Sequence, residues 1–260
     1  MSHTSIVGVT VGVGAPYDQL ASMAALCFTK HTGLPAVVLG AEEFTGSQIA
    51  HPAALRLRLF DYVDADRVVY FDADWLCLRD WAPTAIAELS EVVACRDFIL
   101  ADEWPRQHYQ FDSKGFLEEP DDVPLEDTCD IVRHDYINEV RQFGAISLPI
   151  SKWINTGMLI LTREHHSTWL RTALELYLGP VGHHTVYYEQ PALVKAIELL
   201  DLPIRLLPRR FNVLAAYETK WPGSVVGLHI KVKRHHEFIA NLAAGLVSRP
   251  DHVQAYFQAQ

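Results

Sequence analysis

Val68-Val69-Tyr70-Phe71-Asp72-Ala73-Asp74 carries β-branched and aromatic residues straight into two aspartates one residue apart. Such residues favour strands, so Arg67 to Phe71 is expected as a short buried strand ending on Asp72. In open α/β sheets ligands gather outside the carboxyl ends of the strands, which gives the position of the two carboxylates meaning. In a tight turn both can aim oxygens at one cation. Hard divalent ions such as Mg²⁺ or Mn²⁺ prefer oxygen donors and commonly bridge to phosphates. Asp72 and Asp74 are therefore candidate metal ligands. Asp64-Ala65-Asp66, a little earlier, has the same letters but follows a helix-like stretch and reads as a solvated turn.

Outward from this strand the chain alternates between β-rich runs and helical spacing. Ile6 to Val13, Pro35 to Leu39, Glu91 to Cys95, Met158 to Leu161, Ile204 to Leu207 and Val225 to Ile230 read as strands. Tyr17 to Lys30, Ser167 to Leu178 and Glu189 to Leu200 place apolar residues at helical intervals. Pro52 opens a further predicted helix through Tyr62, proline being suited to a first turn. Alternation of this kind predicts an α/β layered fold with a largely parallel sheet. From Phe98 to Ser151 the chain is instead acidic, aromatic and irregular around Glu118-Glu119-Pro120-Asp121-Asp122. A connection that long is a functional lid or a surface loop, and residues 98–151 are read as an insertion over the active-site end of the sheet. No internal repeat stands out.

Composition narrows the partners. The 260 residues fit one large domain with an insertion, and the formal net charge is -10. An acidic surface disfavours a duplex nucleic-acid partner. It leaves a nucleotide ligand possible, because one divalent ion inverts the local sign. Cys27, Cys77, Cys95 and Cys129 are scattered without a C-x-x-C pair, so neither a disulfide framework nor structural zinc is indicated. The N-terminal apolar run is broken by Gly8, Gly12 and Gly14 and has no basic n-region. No stretch approaches the ~18 apolar residues of a membrane span. A soluble, cytoplasmic protein is expected.

The stretch Leu55-Arg56-Leu57-Arg58-Leu59, Tyr62 and Asp66-Arg67-Val68-Val69-Tyr70-Phe71-Asp72-Ala73-Asp74 resembles glycosyltransferase family 8, which includes bacterial lipopolysaccharide galactosyltransferases and the glycogenins. There a helix with an arginine precedes a hydrophobic strand ending in Asp-x-Asp; Arg56 matches that arginine best and Arg58 is the alternative. The likeness continues in order. Cys95-Arg96-Asp97 resembles the family's post-strand aspartate, and Asn155-Thr156-Gly157 its Asn-[Ala/Ser]-Gly segment. Tyr188-Glu189-Gln190-Pro191-Ala192-Leu193 resembles its acidic-Gln helix start. Arg210-Phe211-Asn212 matches a recurrent Phe-Asn, and Leu228-His229 falls where a histidine completes metal coordination. The resemblance implies a GT-A fold, a Rossmann-like mixed and mainly parallel sheet flanked by helices, as one catalytic domain over residues 1–260.

It also implies a site. Asp72, Asp74 and His229 would hold Mn²⁺ or Mg²⁺ against a nucleoside-diphosphate sugar, UDP-linked by resemblance. Thr10, Val11, Gly12, Tyr17, Arg56, Asp72, Ala73 and Lys231 or Lys233 would face the donor's nucleotide. Asp97, Asn155 and Glu189 would hydrogen-bond sugar hydroxyls, and Gln190 would sit near the anomeric carbon. Family members retain anomeric configuration, and the acceptor is a saccharide, protein or small molecule. The chain departs from the pattern in three places. The first-strand turn Thr10-Val11-Gly12-Val13-Gly14 lacks the usual acid, and Tyr17 either stacks on a base or begins the helix core. His229 is followed by Ile230-Lys231-Val232-Lys233 without the usual glycine. The acid before Gln190 is a glutamate, one methylene longer than aspartate.

Two other readings compete. Nucleotidyl transfer shares the strand-end carboxylates but commonly uses a basic first loop, and Thr10 to Tyr17 has no Lys or Arg. A non-catalytic nucleotide-binding relative is the second. A glycoside hydrolase needs two opposed carboxylates, which nothing selects. His165-His166, His183-His184 and His235-His236 are read as surface or packing pairs, since neighbours on a helix diverge. Trp153, Trp169 and Trp221 are read as core or lid anchors, while Trp104, His108 and Tyr109 are acceptor-side candidates.

Overall fold

The computed structural model describes residues 5–47, 49–83, 90–96, 110–111, 117–118, 138–149, 152–182, 185, 188–214 and 225–230. The first strand, β1 (Ile6–Val11), is almost wholly buried and leads into helix α1 (Tyr17–Thr32). Strand β2 (Ala36–Leu39) and the short helix α2 (Ala41–Gly46) follow. Pro52–Arg58 forms a 3-10 segment that continues into one α-helical turn, α3 (Leu59–Tyr62). Then come β3 (Arg67–Phe71), β4 (Trp75–Cys77) and β5 (Val92–Arg96). Two-residue strands β6 (Gln110–Phe111) and β7 (Leu117–Glu118) pair with each other, and residues 138–142 are helical (α4). The long strand β8 (Ile154–Thr162) runs into α5 (Arg163–Leu178), and α6 (Gln190–Leu199) precedes β9 (Ile204–Leu207). The described chain closes with a 3-10 turn at Arg209–Phe211, β10 (Val213–Leu214) and β11 (Gly227–His229).

The main sheet has the order β2-β1-β3-β8-β5-β9. β1 is parallel to β2 and β3, and β5 is parallel to β9, while β8 runs antiparallel to both β3 and β5. The α/β expectation holds, with one inverted strand at the centre. Strand alternation sends successive side chains to opposite faces. Val68 and Tyr70 enter a core shared with Leu159, Leu161, Trp169 and Leu193 of β8, α5 and α6. Val69 and Phe71 enter a second core with Phe28 of α1 and with Trp75, Leu76 and Leu228. Phe71 stands between Phe28, at 4.9 Å between ring centroids, and Trp75, at 5.4 Å.

A small second sheet, β10-β11-β4, lies over this core. Its antiparallel register sets His229 opposite Trp75. Gly227 makes that pairing possible, because a Cβ there would lie 2.3 Å from the Trp75 ring.

Two expectations are corrected, and one strand was not anticipated. Pro52–Tyr62 is not one α-helix; its first seven residues are 3-10. Ala54, Leu55, Arg56 and Leu57 are consecutively buried, so packing on all sides, rather than helix propensity, shapes the segment. The strand read at Met158 to Leu161 extends back to Ile154, so Asn155-Thr156-Gly157 lies inside β8 rather than ahead of it. β4 escaped notice, being three residues long. The segment 98–151 falls mostly outside the described residues. The end that is described is tied to α6, where Glu198 accepts hydrogen bonds from the Ser147 hydroxyl at 2.7 Å and the Leu148 N–H at 3.3 Å. Among the described residues no helix is long and apolar enough to cross a membrane.

Candidate functional site

At the carboxyl end of β3 the chain turns back at once, the Trp75 N–H donating to the Asp72 carbonyl at 2.9 Å. The Asp72 N–H is taken by the Gly157 carbonyl of β8, also at 2.9 Å. The backbone of the turn is thus held from both sides, and its carboxylates project into one space. Asp74 Oδ1 lies 3.1 Å from His229 Nε2, and Asp72 Oδ2 lies 3.7 Å from the same nitrogen. The Ile230 N–H donates to the Asp74 carbonyl at 2.7 Å, which fixes the end of β11 against the turn. One ligand atom from each of Asp72, Asp74 and His229 falls within 4.8 Å of the others.

Gly157 leaves room for this arrangement. A Cβ there would lie 2.6 Å from His229 Nδ1 and 2.9 Å from Asn155 Oδ1. A side chain at 157 would push the imidazole away from the carboxylates.

The other oxygen of Asp72 is already committed. Tyr70, two residues earlier and so on the same face of β3, donates its hydroxyl to Asp72 Oδ1 at 2.7 Å. Arg56 Nη2 reaches that oxygen at 2.8 Å. Asp72 Oδ2 is left on the side of His229.

Arg56 is 4% exposed, so the alternative of an arginine on a solvated helix face is excluded. Its Nε lies 2.7 Å from Glu189 Oε1, its Nη1 donates to the Thr156 carbonyl at 2.6 Å, and its guanidinium lies 4.6 Å from the Tyr70 ring centroid. Burial by itself pulls the guanidinium pKa down, but Asp72 and Glu189 outweigh it and the net shift is upward. Glu189 shifts upward too, through burial first, with Arg56 opposing and Asp72 adding. Its Oε1 is held by Arg56, whereas Oε2 has no hydrogen-bond partner among the described residues. A buried carboxylate oxygen without a partner is costly. Arg58, the alternative arginine, pairs with Asp61 at 2.8 Å away from this cluster.

Gln190 and Asn155 complete the lining. Gln190 Oε1 accepts from the Thr156 N–H at 3.2 Å and the Thr156 hydroxyl at 3.0 Å. Asn155 Oδ1 accepts from the Gly157 N–H at 2.9 Å and from Asn212 Nδ2 at 2.7 Å. Tyr70, Thr156 and Asn212 therefore shape the site, though sequence reading gave them no role in it. The period-two offset from Asp72 was a usable signal for Tyr70. The other two depend on strand register and on the turn after β9.

The first-strand residues are placed differently. Thr10 is fully buried, Val11 is a core residue, and Ala73 packs on Leu20 and Ala21 of α1. Their side chains are closed off, and any ligand contact there is made by the main chain. A Cβ on Gly12 would lie 2.5 Å from Ala21 Cβ and 2.6 Å from the Tyr17 carbonyl, so the turn meets α1 at close quarters. Tyr17 is 41% exposed. Its phenol pKa is shifted up by burial first and then by Asp74, Tyr188 and Asp72. Asp97, Lys231 and Lys233 lie outside the described residues, as do Trp104, His108, Tyr109 and Trp221. His166, Trp153 and Trp169 are buried, in keeping with packing roles.

The donor set suits a hard divalent cation, with two carboxylates and one imidazole nitrogen. Charge supports the fit. Arg56 pairs with Asp72 and Glu189 while Asp74 lies beside His229, so among the described residues three carboxylates gather around one guanidinium and one imidazole.

No family model matches the sequence, and no curated protein matches it. Solved structures do match. The galactosyltransferase LgtC in complex with donor and acceptor sugar analogs superposes with a TM-score of 0.54 at 16% identity, over 96% of this chain and 99% of that one. An active-site mutant of LgtC gives 0.52 at 13% identity, over 92% and 95%. The bifunctional glycosyltransferase WbbM gives 0.56 at 11% identity, over 92% of this chain and 44% of its own. At such identities the likeness is one of fold, and the fold is the GT-A type that the sequence implied.

Proposed function

We propose that the chain is a metal-dependent glycosyltransferase, moving a sugar from a nucleoside diphosphate, UDP by preference, to a saccharide, protein or small-molecule acceptor with retention of configuration. One observation carries the reading. On a GT-A fold, Asp72, Asp74 and His229 converge beside a buried Arg56–Glu189 pair that has a carboxylate oxygen to spare. Mn²⁺ or Mg²⁺ bound by those three residues would supply positive charge for the diphosphate leaving group.

The chain's own residues do the rest. Tyr70 and Arg56 occupy Asp72 Oδ1 and so orient the carboxylate. Lys231 or Lys233 adds charge at the diphosphate. Glu189 Oε2, Asn155 and Asp97 receive and fix donor hydroxyls, and Gln190 lies beside the anomeric carbon. Glu189 is held by Arg56 at 2.7 Å, which favours same-face substitution over attack by this carboxylate.

Thermal shift with UDP, GDP, CDP and ADP, each with and without Mn²⁺, tests the reading. Stabilisation is expected from UDP and only with the metal, reversed by a chelator. Indifference to all four diphosphates would overturn it. Release of sugar from a UDP-sugar then separates an enzyme from a binding protein.

A further inference from the structure

Tyr188, the residue before Glu189, holds a φ of 57°. A side chain with a Cβ rarely occupies that region without support, and such strain gathers at functional sites. The support is visible. The Thr185 hydroxyl donates to the Tyr188 carbonyl, and the Tyr188 N–H donates to the Thr185 carbonyl at 3.3 Å. The Tyr188 ring lies flat on the His51 imidazole, with centroids 3.8 Å apart and planes 14° from parallel.

His51 has a second engagement. Its Nδ1 accepts the Ala53 N–H at 3.1 Å, which caps the 3-10 segment carrying Arg56. Burial first, then the nearby Arg56 guanidinium, lowers the imidazole pKa. Each member of the buried Arg56–Glu189 pair thus belongs to a segment fastened by one of two stacked rings. Tyr188 is also 44% exposed. A half-exposed aromatic on a strained backbone is hard to explain by core packing.

We propose that the His51–Tyr188 stack is a positioning clamp, holding the Glu189 turn against the Arg56 segment so that one guanidinium serves both Glu189 and Asp72. Its kinetic consequence rests on the sugar-transfer reading; its structural consequence does not. α6 is anchored in the core through Ala192, Leu193 and Val194. If the stack is lost, relaxation of the Tyr188 backbone therefore falls on Glu189.

Three variants separate ring from backbone. Tyr188→Gly accepts the positive φ and removes the ring, and Tyr188→Phe keeps the ring. His51→Asn keeps a capping acceptor and removes the imidazole. The first readout is the Arg56 Nε–H resonance of ¹⁵N-labelled protein, assigned by its loss in Arg56→Lys. Tyr188→Gly and His51→Asn are expected to shift this signal and speed its exchange with water about tenfold, the scale of one aromatic contact. Tyr188→Phe is expected to leave it in place.

The second readout is Mn²⁺-dependent hydrolysis of a UDP-sugar. There kcat should fall about tenfold in the two ring-free variants, with donor KM nearly unchanged and full activity in Tyr188→Phe. An Arg56 signal unmoved in both ring-free variants would overturn the clamp. So would a loss confined to KM, which would mark the ring as a ligand platform instead. If the unmodified protein turns over no nucleotide sugar while the Arg56 signal responds as expected, the sugar-transfer reading fails and the clamp stands.

Discussion

Asp64-Ala65-Asp66 and Asp72-Ala73-Asp74 spell the same tripeptide at either end of β3, and the fold gives them opposite work. In both, the alanine is buried, 5% exposed at Ala65 and 6% at Ala73, and plugs the core. The aspartates diverge. Asp64 is fully exposed and lies 3.9 Å from Arg163 Nη2, at the limit of an ion pair. Asp66 Oδ2 accepts the Ser5 N–H at 2.9 Å and pins the start of β1. Asp72 and Asp74 instead meet Arg56, Tyr70 and His229 at 2.7 to 3.1 Å. The difference lies in what the sheet delivers to each turn. The amino end of β3 receives Ser5 and, on its carbonyls, Arg163, whereas the carboxylates at its carboxyl end receive Arg56 and His229 from distant elements and Tyr70 from β3 itself. Convergence of groups that could hold a metal is therefore a property of the strand end and its neighbours, and the tripeptide only makes it possible.

Asp74→Ala should break the second turn most completely. Turnover of a UDP-sugar and stabilisation by UDP with Mn²⁺ should both vanish, while the thermal midpoint without ligand stays near that of the parent. Near-normal sugar transfer in this variant would show that the cluster is not the working site. Arg56→Met comes next, because it leaves the buried Glu189 and the partly buried Asp72 without their cation. A loss of about 3–5 kcal/mol is expected on removing one partner of such a group, measurable by denaturant titration. Gly157→Ala acts mainly through His229, by placing a methyl where the imidazole stands, and also crowds Asn155 Oδ1. Metal-dependent UDP binding should weaken about 10–100-fold, the usual scale for disturbing a ligand's support, and calorimetry with Mn²⁺ checks it.

The same contrast shows what sequence reading can reach. Arg67–Phe71 and Ile204–Leu207 were read with the boundaries observed, because β-branched and aromatic residues bounded by turn signals carry local information. The conformation of Pro52–Arg58 was not local: Arg56 is drawn into the core by Asp72 and Glu189, and the chain tightens to 3-10 around it. Nor was the direction of β8 legible, since its nine residues do not reveal that both neighbours run against it. In the site, Asp72 and Asp74 were named from their residue type at a strand end, and Arg56, Glu189, Gln190, Asn155 and His229 from the family resemblance; the fold gathers these residues near one another. Thr156 and Asn212 were quoted as parts of family-like motifs but given no role, because their bonds to Gln190 and Asn155 exist only once β8 and the turn after β9 are in register. Thr10 is fully buried and the Ala73 side chain packs on α1, which only the placing of the surrounding elements determines.

The first turn supplies the controls. Asp66→Ala removes the acceptor for the Ser5 N–H and frees the start of β1, which should cost about 1 kcal/mol of stability and leave sugar transfer and UDP–Mn²⁺ binding at parental values. A parallel loss of metal binding would mean that the two ends of β3 are coupled and the contrast is too sharp. Asp64→Ala should do less still. An exposed pair at the limit of ionic contact is screened by water and salt, so the variant should match the parent within about 0.5 kcal/mol. Its stability should also be indifferent to added salt relative to the parent, because a pair that contributes nothing leaves salt nothing to screen. A clear, salt-sensitive destabilisation in Asp64→Ala would instead show that Arg163 draws on Asp64 as well as on the carbonyls of Phe60 and Ala65, giving the first turn a structural charge of its own.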